Sequence, residues 1–265
     1  MTELIMVSLK ILLVLVVSFF ITLGAVQTAR LLGIDIRDFK QRTAIPFLSL
    51  AVVFNLIFIG FVALVLHFID GKNLGVLGFG FDSRGVLLSI IAFLVTLISA
   101  MGFLFILRNL NYNDFEFRKT STEKKGNIPK SLFAFFVLII AALQEEILFR
   151  GYLSVLLIRY GFFFALIVST VIFTVWHFMT GKATVFQVID WFIGGALLFY
   201  IYHGTGSVWV ATAVHFSRNF TNVVLFDIAG TSSLLKLKSP LKPQFKSVYT
   251  IITSILIFVA FLFMY

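Results

Sequence analysis

The 265-residue chain has no cysteine, which excludes thiolate catalysis, cysteine-ligated zinc and a disulfide scaffold. Charge is almost as scarce. Asp, Glu, Lys and Arg make up 12% of the chain, about half the share a soluble domain carries. Hydrophobic residues reach 60% and the mean hydropathy is +1.06, so the polar surface cannot cover a globule in water, and neither disorder nor a collagen-like repeat fits. With only 4 prolines, little stands in the way of long helices. The alternating polarity of a membrane β-barrel is missing too. Unbroken apolar runs of nearly the length that crosses a bilayer take its place.

The net charge of +9 raises the question of nucleic acid, which clustered Lys and Arg would attract. Here the cations lie between apolar runs, so the partner expected is the lipid bilayer and no nucleic acid. The expected fold is all-α, a polytopic membrane bundle of about eight transmembrane helices near 11–29, 45–69, 86–107, 132–149, 162–180, 186–203, 207–227 and 248–265. The apolar stretch Ile11–Val26 is longer than the core of a secretory signal, and Glu3 weakens the positive start such a signal has. The first run therefore reads as a retained span.

If the spans alternate, 15 of the 21 Lys and Arg fall in the loops after spans 1, 3, 5 and 7. The positive-inside rule places those loops in the cytoplasm and both termini outside, in an integral, multi-pass protein of the cell membrane. The polar stretch Asn109–Lys130 separates residues 1–131, the N-terminal helices and a cytoplasmic loop, from a core at 132–227. Residues 228–265 supply a last loop and helix. No internal repeat supports an inverted-repeat transporter.

Ionisable groups inside a span cost about 2.5 to 3.5 kcal/mol each near its centre, so where they sit is informative. The first three spans hold almost none. Spans 4 to 7 hold Glu145, Glu146, Arg150, His177, Asp190, His203, His215 and Arg218. Glu146 and Arg150 are four apart, with the acid on the N-terminal side, the favourable order for a helical ion pair. Glu145 lies about 100° around the helix from Glu146 and is free for another task. Burial and a like charge beside it favour general-base work; a structural interfacial cluster is the competing reading. Phe173 and His177 share a helix face, as do His215 and Asn219. The second pair can hold a carbonyl or an oxyanion, or act as interhelical glue. An acid, two imidazoles and an amide form a complete set for peptide-bond hydrolysis.

These residues carry a resemblance. Glu145-Glu146 followed by Arg150, Phe173 with His177, and His215 with Asn219 reproduce, in order, the three motifs of the type II CAAX prenyl protease and bacteriocin-processing family of intramembrane proteases, also called CPBP or Abi. The flanks Arg150-Gly151-Tyr152-Leu153 and Thr205-Gly206-Ser207-Val208-Trp209 resemble it as well, and the likeness covers about residues 132–222. It implies a glutamic-type intramembrane endopeptidase. Glu145 and His177 would activate water, His215 and Asn219 would stabilise the oxyanion, and Glu146, Arg150 and Phe173 would support them. The implied partner is a membrane-embedded or lipid-anchored protein or peptide, prenylated or bacteriocin-like, reached through a polar cavity open to the cytoplasm. No cofactor is expected. A zinc on Glu145, His177 and His215 is the alternative, since three protein ligands plus water is the usual catalytic pattern. An ion or solute transporter, or a non-catalytic membrane factor of the same fold, are the competing functions.

One geometric difficulty accompanies this reading. On straight, upright helices Glu145 lies about 20 Å from the Lys130 end of its span, whereas His177 lies about 7 Å from Lys182 on the same side. A tilt, a kink, or a fourth helix running on past Arg150 would bring them level. Asp190, His203 and Arg218 read first as structural, Gly194 and Gly195 as helix-packing residues, and Trp176, Trp191 and Trp209 as interfacial anchors.

Overall fold

A computed structural model describes residues 2–35, 44–117, 128–178, 183–222, 235–238 and 241–265. Its helices are α1 (Thr2–Leu31), α2 (Ile45–Phe68), α3 (Ser83–Asn109), α4 (Ile128–Glu146), α5 (Leu153–Leu157), α6 (Phe162–His177), α7 (Val185–Thr205), α8 (Val208–Phe220) and α9 (Pro243–Met264). The few prolines stand where they do least harm. Pro46, Pro129 and Pro243 each occupy one of the first two positions of a helix, where no intrahelical N–H is lost. Side-chain caps set other starts. Asp82 accepts from Gly85 N before α3, Thr184 and Gln187 form a capping box at α7, and Ser207 accepts from Val210 N at α8.

Each of the eight apolar runs is helical, but they differ in kind. Five described helices are long and apolar enough to cross a membrane, namely Glu3–Leu31, Ile45–Phe68, Ser83–Asn109, Val185–Thr205 and Gln244–Met264. The runs at 132–149, 162–180 and 207–227 became α4, α6 and α8; α8 is largely buried, whereas α6 buries one face and turns Phe163, Ile167 and Val175 outward. Over the described residues α8 has 13 residues and α6, a shorter apolar helix, has 16. Residues 179–180 and 223–227 of those runs lie outside the described residues.

Helices α4 and α8 lie side by side at the centre, with α2 on α4 and α1 outside α2. Helix α3 packs on α8, α9 lies on α3 and α7, and α7 joins α9 to α6. The packing therefore interleaves helices from both halves of the chain. Helix α1 buries Val7, Ile11 and Val14 in the same cluster as Phe58 and Val62 of α2, and its Lys10 pairs with Asp70. On the expected outer side, the segment after α2 plugs the bundle. Gly78 O accepts from Val208 N at 2.8 Å, and Ser207 Oγ donates to Gly80 O. Gly78 has a φ of 73°, and a Cβ there would come within 2.1 Å of Gly206 O, so only glycine fits. At the other end β1 (Phe115–Phe117) pairs antiparallel with β2 (Leu235–Leu237), with Glu116 opposite Lys236.

Candidate active site

The depth difficulty is resolved by the third of its three solutions. Helix α4 runs on past Arg150. Ile147–Tyr152 form a π-helical segment that leads directly into α5, and the junction residues Glu146 and Tyr152 both keep right-handed helical backbone. Glu145 is 12 residues before Leu157, about 18 Å along the axis, and His177 is 15 residues after Phe162, about 22 Å back down α6. Measured from their shared corner, acid and imidazole come nearly level.

A π segment leaves backbone groups in need of new partners and is often found at functional sites. Here the partner comes from α6. Phe149 O accepts from Ser169 Oγ at 2.8 Å and from Ser154 Oγ at 3.4 Å, which ties the widened turn to the helix that carries His177. Gly151 lies where Leu77 presses on the segment, 3.1 Å from the position of a Cβ. The whole stretch Ile147–Leu153 is buried.

Two carboxylates and two imidazoles meet above this turn. Glu146, with no exposed surface, accepts from Arg150 Nη1 at 3.1 Å and from His215 Nδ1 at 2.7 Å. The expected Glu146–Arg150 pair is thus present, with a third member added. Arg150 also donates from Nη2 to Gly195 O at 3.2 Å, and its guanidinium carbon lies 4.1 Å from the Phe173 ring centre. A buried guanidinium is tolerable only when so surrounded, and removing one partner of such a pair costs about 3–5 kcal/mol.

His177 Nδ1 lies 2.8 Å from Phe173 O. A carbonyl only accepts, so Nδ1 donates to it. His177 Nε2 is 3.9 Å from Glu145 Oε2, and His215 Nε2 is 3.8 Å from the same oxygen. Glu145 Oε2 is buried and has no hydrogen-bond partner among the described residues. Glu145 and Glu146 do face different ways, as their 100° offset requires, yet they converge on the two nitrogens of one ring. The separations exceed a hydrogen bond and leave room for a bridging water. Exposure falls across the cluster, from 27% for the Glu145 side chain and 19% for His177 to 8% for His215 and none for Glu146. The site therefore opens on the Glu145–His177 side.

Phe173 lies between the groups, its ring 4.5 Å from that of His177 and 6.2 Å from that of His215. Asn219 follows His215 by one turn of α8 and is half-buried. Zinc with ligands at 2.0–2.2 Å would draw the three donor atoms to roughly 3.3–3.5 Å of one another. Glu145 Oε2 stands 3.9 Å from His177 Nε2 and 3.8 Å from His215 Nε2, and among the described residues no group of three or more His, Cys, Asp or Glu is arranged to hold a metal ion.

Other residues take these places. Trp191, expected at the interface, packs against the His177 ring at 5.0 Å with planes 34° apart. Trp176 lies 6.1 Å from the Phe149 ring and Trp209 5.8 Å from Phe79. Asp190 and Arg218 pair at 2.6 Å, which is the structural reading given to them. His203 sits away from the cluster among Phe162, Phe199 and Tyr202. The backbone carbonyls of Phe173 and Gly195, which fix His177 and Arg150, carry no signature in a sequence.

The motifs, their flanks and α7 between them all fall within one comparison. Residues 127–221 match the family described as type II CAAX prenyl endopeptidase, Rce1-like. No curated protein matches the chain. The matched segment runs from the last residue before α4 through α8 and takes in every residue of the cluster. Together with five apolar helices of spanning length, it supports an integral membrane protein that is an endopeptidase.

Proposed function

We propose that the chain is a glutamic-type intramembrane endopeptidase that needs no metal. The supporting observation is Glu145 Oε2, buried without a hydrogen-bond donor among the described residues and faced by two imidazole Nε2 atoms within 4 Å. A water between Glu145 and His177 satisfies that oxygen. Glu145 takes a proton from the water as its oxygen bonds to the scissile carbonyl carbon, and the carbonyl oxygen becomes an oxyanion. His215 Nε2 and the Asn219 amide donate to it. To donate from Nε2, His215 carries a proton on each nitrogen, with Glu146 accepting the one on Nδ1. Collapse of the tetrahedral species breaks the C–N bond, and the proton held by Glu145 passes to the leaving amine. Glu146 thus orients His215 through Nδ1, as the acid of a catalytic triad orients its histidine.

The substrate class proposed is a protein or peptide held at the cell membrane by a lipid anchor or by its own span, prenylated or bacteriocin-like. Comparative proteomics of cells with the native chain and with Glu145→Gln tests this. A membrane protein that accumulates at full length only in the variant cells is the expected result. Chelator-treated, purified protein in nanodiscs should still cleave it. An unchanged membrane proteome, or ion flux into proteoliposomes that disappears with Glu145→Gln, would overturn the reading in favour of a non-catalytic factor or a transporter.

A further inference from the structure

Helix α7 carries none of the motif residues, yet four of its residues within about a turn and a half touch helices that do. Asp190 accepts from Arg218 Nη2 of α8 at 2.6 Å. Trp191 lies on His177 of α6. A Cβ on Gly194 would fall 2.0 Å from Arg218 Nη1 and 2.9 Å from its Cζ, so the guanidinium occupies the space a side chain would need. Gly195 O holds Arg150 of the π segment. Two adjacent glycines thus each meet a guanidinium group. Arg218 is three residues past His215 and immediately before Asn219, so its placement sets the rotation of α8 at the proposed oxyanion pair.

Arg218 is 9% exposed and the Asp190 side chain 14%. Apolar residues of similar volume usually hold two helices together at least as well as a buried ion pair does, and at lower desolvation cost. What an ion pair adds is a fixed mutual orientation. We propose that Asp190, Trp191 and Arg218 are positioning residues of the hydrolytic site. The Asp190–Arg218 pair locks α7 against α8 in one rotation, Trp191 extends that lock to the His177 ring, and the glycine at 194 makes room for it. The proposal rests on the hydrolytic reading above for its effect on turnover, but its geometric part stands separately.

The chain has 4 histidines, which makes side-chain NMR of histidine-labelled full-length protein in nanodiscs practical. His177 signals are identified by their loss in His177→Ala. Trp191→Leu, Gly194→Ala, Arg218→Lys and the neutral pair Asp190→Asn with Arg218→Gln are compared. Each is expected to move the His177 signals. Each should also lower kcat about 10- to 100-fold, the scale of a small misplacement of reacting groups, while KM for the protein that accumulates in Glu145→Gln cells stays nearly constant. His177 signals unmoved by Trp191→Leu and by the neutral pair, or native kcat in folded variants, would overturn the proposal. Turnover that survives Glu145→Gln would defeat the hydrolytic reading and leave the NMR comparison to decide the positioning.

Discussion

The outer helices and the inner helices of this bundle solve opposite problems. Helices α1, α2 and α3 bury only 22–28% of their most apolar stretches and turn Leu, Ile, Val and Phe outward, so lipid completes their packing. Helices α4, α6 and α8, with the π segment that continues α4, are shorter or more polar over the described residues and hold the carboxylates, imidazoles and buried arginines of the cluster. Several of these polar groups are answered by a group on another helix: Glu146 by His215, Arg150 by Gly195, Phe149 O by Ser169.

Substitutions that test this contrast should fall on a graded scale. Arg150→Ala leaves Glu146 buried beside His215 with its cation gone, and should destabilise the bundle by about 3–5 kcal/mol, read as a lowered midpoint in denaturant titration of the detergent-solubilised protein. Gly78→Ala forces a side chain onto the left-handed residue that abuts Gly206 O, at about 1–3 kcal/mol, read in the same titration. Phe20→Leu, at a ring 62% exposed on α1, should change stability by less than about 0.5 kcal/mol. A large loss at Phe20, or none at Arg150, would dissolve the distinction between the two sets of helices.

The sequence makes part of this plan readable in advance. Four-residue spacings pair Glu146 with Arg150, Phe173 with His177 and His215 with Asn219, because local helical geometry suffices for each. The scarcity of ionisable groups in the first three spans points to the second half for the same reason. The depth match of Glu145 and His177 is another matter. It depends on a π-helical turn that continues α4 to Leu157, and π turns arise from tertiary demands such as the Ser169 bond to Phe149 O. The contribution of α7 is equally hidden. Trp191 and Asp190 look like span-end residues until the fold places them against His177 and Arg218. Among the described residues five helices are long and apolar enough to span, and apolar composition does not say whether lipid or protein covers the remaining runs.

Glu145 is the group proposed to take the proton from water. The direct measurement is cleavage of the accumulating membrane protein by purified native chain and by Glu145→Gln in nanodiscs, at matched folding by thermal unfolding. Loss of turnover by about 10²–10⁴-fold, the usual contribution of a general base, with an unaltered unfolding transition is the predicted result. A folded Glu145→Gln that cleaves at the native rate would contradict it.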